Sequence, residues 1–175
     1  MKRSYISVGW NCHPRVFIRN TLKLTKNNGY KTGPFDLCVT KYKALADCIN
    51  TNFAKFFDNL HLQPGTNAPG DRSRCGPGKM DIVNSYGMIF NHEGSTHSHL
   101  FNEGRNDDQF YIRNNFKKFR ERYARRIQNF RNYINSSQEI VLIFNKYPGD
   151  KHQDHELLKL FSNAFPRKKF ILNKI

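Results

Sequence analysis

The chain has 175 residues, 38% hydrophobic and 14% aromatic, and a net charge of +15 from 29 Lys and Arg against 14 Asp and Glu. That composition excludes a disordered chain and suffices for one domain with a real core, residues 1–175. No apolar run reaches the ~20 residues that span a bilayer, and no signal-type apolar stretch follows the basic start, so a soluble, non-secreted protein is expected.

Residues 5–8 (YISV) form a short strand that ends at Gly9. From Pro14 the positions Val16, Phe17, Leu22 and Leu24 predict a helix of about three turns, stopped by Asn27, Asn28 and Gly29. GPFD at 33–36 is a turn. A second helix is expected from Thr40 as its cap through Tyr42, Leu45, Ala46 and Ile49, and Phe53, Phe56, Phe57 and Leu60 continue an aromatic patch. Residues 63–79 (QPGTNAPGDRSRCGPGK) read as a surface loop. Its GPGK is no phosphate loop, because the glycine spacing is wrong and Met80 follows the lysine. Residues 81–91 (DIVNSYGMIFN) predict a strand or hairpin.

Ile112, Phe116, Phe119, Tyr123, Ile127, Phe130 and Ile134 then recur at spacings of 4, 3, 4, 4, 3 and 4. This is an amphipathic helix of roughly six to seven turns. Lys117, Lys118, Arg120, Arg122, Arg125, Arg126 and Arg131 are assigned to its wet face. EIVLIF at 139–144 is a continuous apolar run, as in a central strand covered on both faces. A helix at 155–165, closed by Pro166, and a strand at 170–172 complete a βαβ unit with a parallel strand pair. The chain stops at that last strand, an end that a truncated domain would show. The expected fold is α/β, three-layered, with helices around a mostly parallel sheet of four to five strands.

In such a sheet the site lies outside the carboxyl ends of the strands. Three segments are predicted there. GWNCH at 9–13 puts Cys12 at a helix N-terminus, where unpaired N–H groups and the helix dipole stabilise a thiolate. The same N–H groups, with Asn11, suit an oxyanion. NHE at 91–93 offers His92 as a base toward Cys12. NKYP at 145–148 offers Asn145, which with Asp36 and Glu93 is a candidate to orient the imidazole. The competing account of Cys12 is a small buried hydrophobe, and that of His92 is a strand-end histidine bonded to backbone. His13 points away from Cys12 and is a poor base for it.

Three motifs occur in order: SVGWNCHP with IR at 7–19, PFDLCVT at 34–40 and YGMIFNH at 86–92. The set resembles a family of putative papain-like cysteine peptidases of otherwise unknown function, and the likeness extends over nearly the whole chain. It implies Cys12 as nucleophile, His92 as base and Asp36 as a third polar member. Leu37 stands where the family usually has Trp. Asp36 before His92 is a permuted order, whereas Asn145 or Asp150 would restore Cys, His, Asn/Asp. A strand leading straight into the Cys helix, with a C-terminal βαβ unit, suits Rossmann- or SGNH-like layering rather than a standard papain fold.

The implied activity is hydrolysis or acyl transfer at a peptide or acyl carbonyl, without a cofactor. The alternative is a non-peptidase α/β module that binds or modifies an anionic glycan, or binds nucleic acid, through Lys117, Arg120, Arg122, Arg125 and Arg126. No metal is expected: His92, His97 and His99 with Glu93 lack a further well-spaced ligand. The four cysteines form no C-x-x-C pair, so free thiols in the cytoplasm or another reducing compartment are expected.

Overall fold

The computed structural model describes residues 3–64, 80–93, 109–152 and 154–175, without the side chains of 109–112. The elements run β1 (Arg3–Ser7), α1 (His13–Asn20), α2 (Tyr42–Asn50), β2 (His61–Pro64), β3 (Met80–Val83), β4 (Ile89–Phe90), α3 (Gln109–Ser136), β5 (Glu139–Phe144), α4 (Asp154–Ala164) and β6 (Lys169–Lys174). A short 3-10 turn, Lys26–Asn28, lies between α1 and α2.

The architecture is α/β, with two sheets. The main sheet is wholly parallel in the order β1-β5-β6. β5 is its centre, and all six of its residues are buried, as the EIVLIF run requires. Alternation sends Ile140, Leu142 and Phe144 into the larger core and Val141 and Ile143 into a second cluster under α1. The larger core also takes the apolar stripe of α3: Phe119, Tyr123, Ile127, Phe130 and Ile134 are all buried. The second sheet is antiparallel, β2-β3-β4. The parallel sheet is therefore smaller than the four to five strands expected. The segment from Asp81 pairs with its own hairpin partner and with 61–64 instead of joining β1.

Three local expectations change. α1 is two turns long rather than three. The chain leaves it after Asn20 and turns at Lys23 (φ +58°), so Leu22 and Leu24 reach the α1-side core from outside the helix. α3 breaks at 113–116, where Asn114, Asn115 and Phe116 adopt positive φ. Paired asparagines tolerate that conformation, and the apolar spacing carries no sign of it. β2 runs to Pro64, so the first two residues of the predicted loop are strand; residues 65–79, Cys75 among them, and His97 and His99 lie outside the described residues. No helix among the described residues is long and apolar enough to cross a membrane.

Candidate active site

β1 delivers the chain into the corner that was read from the sequence. Val8 and Trp10 continue the parallel pairing by donating N–H bonds to the carbonyls of Ile143 (3.0 Å) and Asn145 (3.2 Å). Cys12 follows as the cap residue of α1, half-buried, with its carbonyl accepting the Val16 N–H at 3.0 Å. Its side chain makes no capping bond to the helix. Asn11 does that work: its Oδ1 accepts the His13 N–H at 2.9 Å. The same oxygen accepts the Asn145 Nδ2 at 2.7 Å. With Oδ1 doubly engaged, the Asn11 amide NH2 is the group left to donate.

Gly9 is dictated by this packing. A Cβ there would stand 2.9 Å from the Asn145 backbone nitrogen, and closer still to Asn145 Oδ1 and the Pro14 ring. Asn145 Oδ1 is buried without a hydrogen-bond partner among the described residues. Trp10 is also buried, edge-on to Tyr147 at 5.2 Å.

The other two motif segments are laid against the corner by backbone bonds. Thr40 donates its N–H to the Trp10 carbonyl at 3.0 Å. Val39 and Ile89 exchange two bonds, at 2.7 and 3.0 Å, as an antiparallel bridge. His92 follows three residues after Ile89, in the turn beyond β4, and is buried. The corner, the PFD segment and the His segment are thus successive neighbours in space.

Asp36 is fully buried in the turn after Gly33. It accepts the Gly33 N–H at 2.9 Å and the Tyr30 hydroxyl at 3.0 Å, and Arg15 Nε lies 3.9 Å away. Arg15 is one helical turn from Cys12, so Asp36 anchors the helix that Cys12 opens. Burial pushes the Asp36 carboxyl up to about 6, against the opposing pull of the Gly33 N–H, Arg15, Tyr30 and Arg126. Burial, with Asp36 next, raises the Tyr30 phenol well above its ordinary range, which keeps it a donor.

Glu93 is also fully buried. Its Oε1 receives Arg126 Nη1 at 3.2 Å and Arg122 Nε at 3.4 Å. Arg126, expected on the wet face of α3, is in fact buried, with its guanidinium 4.4 Å from the Tyr123 ring centre. A wet-face assignment fails here because the residues of α3 next to the apolar stripe also face protein, and Glu93 from the turn beyond β4 meets them. Asp150, another candidate orienting group, accepts the Tyr42 N–H at 3.0 Å at the start of α2.

Asp150 faces a histidine that the motif pattern did not single out. His152 is buried, stacked on Tyr42 at 3.9 Å, with its Nδ1 4.0 Å from Asp150 Oδ2. Burial lowers its pKa, favouring the neutral imidazole. Nothing in its flanking residues signals this burial. Arg15 and Tyr30, the partners of Asp36, likewise carry no motif of their own; the i, i+3 spacing from Cys12 to Arg15 is the signal that points to Arg15.

Cys12, Cys38 and Cys48 are free thiols. Cys38 and Cys48 are buried, and burial drives both thiols up, Cys38 to about 12. Both pack in the hydrophobic core, the setting of an unreactive thiol. Among the described residues no group of three or more His, Cys, Asp and Glu could hold a metal ion.

No curated protein and no solved structure matches this chain. A family model does match, over residues 3–174, from the first strand through the last. The chain is a member of the putative papain-like cysteine peptidase family, DUF1796.

Proposed function

We propose that the chain is a cysteine-nucleophile hydrolase acting on a peptide or acyl carbonyl. In this reading His92 takes the Cys12 thiol proton, and the resulting thiolate attacks the carbonyl carbon. The carbonyl oxygen becomes an oxyanion, held by the Cys12 N–H and the Asn11 amide NH2. The bond to the leaving group breaks, and His92 returns its proton to that group. Water then attacks the thioester, His92 accepts one of its protons, and the acid leaves as Cys12 is regenerated. Asp36 acts as a positioning residue. Its two oxygens serve Gly33, Tyr30 and Arg15, so its effect on chemistry runs through the placement of α1.

The observation that carries this reading is the run of backbone bonds from Trp10 to Thr40 and from Val39 to Ile89. Segments far apart in sequence become neighbours, and each contributes one of the residue types that thiol hydrolysis needs. The contrast among thiols adds support, since Cys12 is half-exposed while Cys38 and Cys48 are buried.

Alkylation by iodoacetamide across pH, with peptide mapping, tests it. Cys12 should react at pH 6–7 at least about tenfold faster than an ordinary thiol. His92→Gln, shown by circular dichroism to be folded, should shift the Cys12 profile toward that of a free cysteine. A Cys12 that reacts like a free thiol in both proteins overturns the assignment.

A further inference from the structure

A cavity of about 520 Å³ opens between the segment 26–32 and the middle of α3. Its α3 wall is Arg122, Arg125, Arg126 and Asn129, positions i, i+3, i+4 and i+7 on one helix face. Lys26 and Lys31 face them from the other wall, with Tyr30 and Thr32 between. Five cations therefore converge on one space. Glu93 offsets Arg122 and Arg126. No carboxylate among the described residues pairs with Lys26, Lys31 or Arg125, so the cavity keeps a surplus of positive charge.

The walls are preformed. Asn129 donates its Nδ2 to the Thr32 carbonyl at 2.9 Å, tying one wall to the other. Arg126 is only 5% exposed and is held by Glu93 and the Tyr123 ring. Tyr30 is fixed by its bond to Asp36. A rigid guanidinium fork suits the paired oxygens of phosphate. The volume falls in the ~300–1,000 Å³ range of small-molecule sites. No aliphatic residue among the described residues lines the space, which favours a polar ligand.

We propose that this cavity binds a phosphomonoester carried on a small polar molecule. Its walls are joined to the candidate active site, since Tyr30 bonds Asp36 and Arg122 and Arg126 bond Glu93, the neighbour of His92. The neighbouring cations of α3 are engaged outside the cavity. Lys118 pairs with Glu121, Arg120 bonds the Asn115 carbonyl, and Arg131 bonds Asn52. Arg120 and Arg131 keep their charge, but the densest group of cations among the described residues is the cavity, where five converge and the Glu93 carboxylate meets two of them.

Calorimetric titration at constant ionic strength tests this with inorganic phosphate, glucose 6-phosphate and glucose as probes. Phosphate and glucose 6-phosphate should bind, and glucose should not. Arg125→Ala and Lys31→Ala, both at exposed positions, should each weaken binding about tenfold or more. Arg120→Ala, on the same helix but outside the cavity, should leave it unchanged. Absence of binding at millimolar phosphate and glucose 6-phosphate overturns the proposal, as does equal affinity for glucose and its phosphate. A single-stranded oligonucleotide supplies the last arm. If it binds more tightly than glucose 6-phosphate, with equal losses in Arg120→Ala and Arg125→Ala, α3 is a polyanion surface and the cavity is not a site.

Discussion

The corner at the ends of β1 and β5 and the charged centre beside α3 are both polar, yet they are built from opposite materials. The corner consists of backbone groups, two amides and a thiol. Asn11 and Asn145 bond each other, Gly9 admits the close approach, and Cys12 stays half-exposed. The charged centre consists of ions withdrawn from water: Glu93 with Arg122 and Arg126, and Asp36 with Arg15 and Tyr30. A neutral corner can be open because little is lost when water enters. A buried ionic centre holds only while every charge keeps its partner. The first arrangement leaves groups available for chemistry, and the second fixes the elements that carry them.

The largest expected effect removes one ion from the charged centre. Glu93→Ala leaves Arg126 buried with its nearest carboxylate gone. It should cost about 3–5 kcal/mol in chemical denaturation. A loss below about 1 kcal/mol would mean that the centre relaxes like the corner.

Acidity distinguishes the two regions next. The Asp36 carboxyl is raised from its ordinary 3.8 to about 6 in the fold. The folded chain therefore holds that proton more tightly than the unfolded chain does. The stability it contributes is complete below about pH 4 and is lost as pH rises through about 6, up to about 3 kcal/mol. Asp36→Asn should flatten this part of the stability-pH curve. An unchanged slope between pH 4 and 6 would remove Asp36 as its source.

The corner should respond to sterics instead. Gly9→Ala forces the new methyl group against Asn145 and Pro14, and should cost about 1–3 kcal/mol while slowing alkylation of Cys12. Asn11→Ala removes the α1 cap and the bond to Asn145, for about 1 kcal/mol. Its effect on Cys12 reactivity should exceed that modest stability loss. Equal Cys12 rates in both variants and the parent would detach the corner from the thiol.

The smallest effect lies where the centre meets the core. The Tyr123 hydroxyl is buried without a hydrogen-bond partner among the described residues, while its ring packs on Phe56, Phe90 and Phe119. Tyr123→Phe should be neutral or stabilising by up to about 1 kcal/mol. A clear destabilisation would show that the hydroxyl has a role in the charged centre.

Several of these features are readable from short-range pattern. EIVLIF has no polar face to offer, so it is central. The period of Phe119, Tyr123, Ile127, Phe130 and Ile134 describes a helix stripe, and the stripe is core. A strand, a glycine and a cysteine ahead of Pro14 describe the corner. What the pattern lacks is the partner of each polar residue. Arg126 and Arg125 are adjacent in sequence and alike in chemistry, yet one is buried and the other exposed. The break at Asn114 and Asn115, and the burial of His152, are similarly absent from the periodicity.

The sequence by itself determined the α/β class, the βαβ unit at the end of the chain, the apolar stripe of α3 and the placement of Cys12 at a strand-helix corner. Each follows from local stereochemistry and from the period at which apolar side chains recur. Tertiary structure alone decided that the second strand group forms its own antiparallel sheet. It also decided that Asp36 reaches α1 through Arg15, that Glu93 draws Arg126 out of solvent, and that Lys26 and Lys31 face the arginines across a cavity. Those outcomes depend on which charges meet across long sequence separations, and a buried charge is tolerable only beside the partner that the fold brings to it.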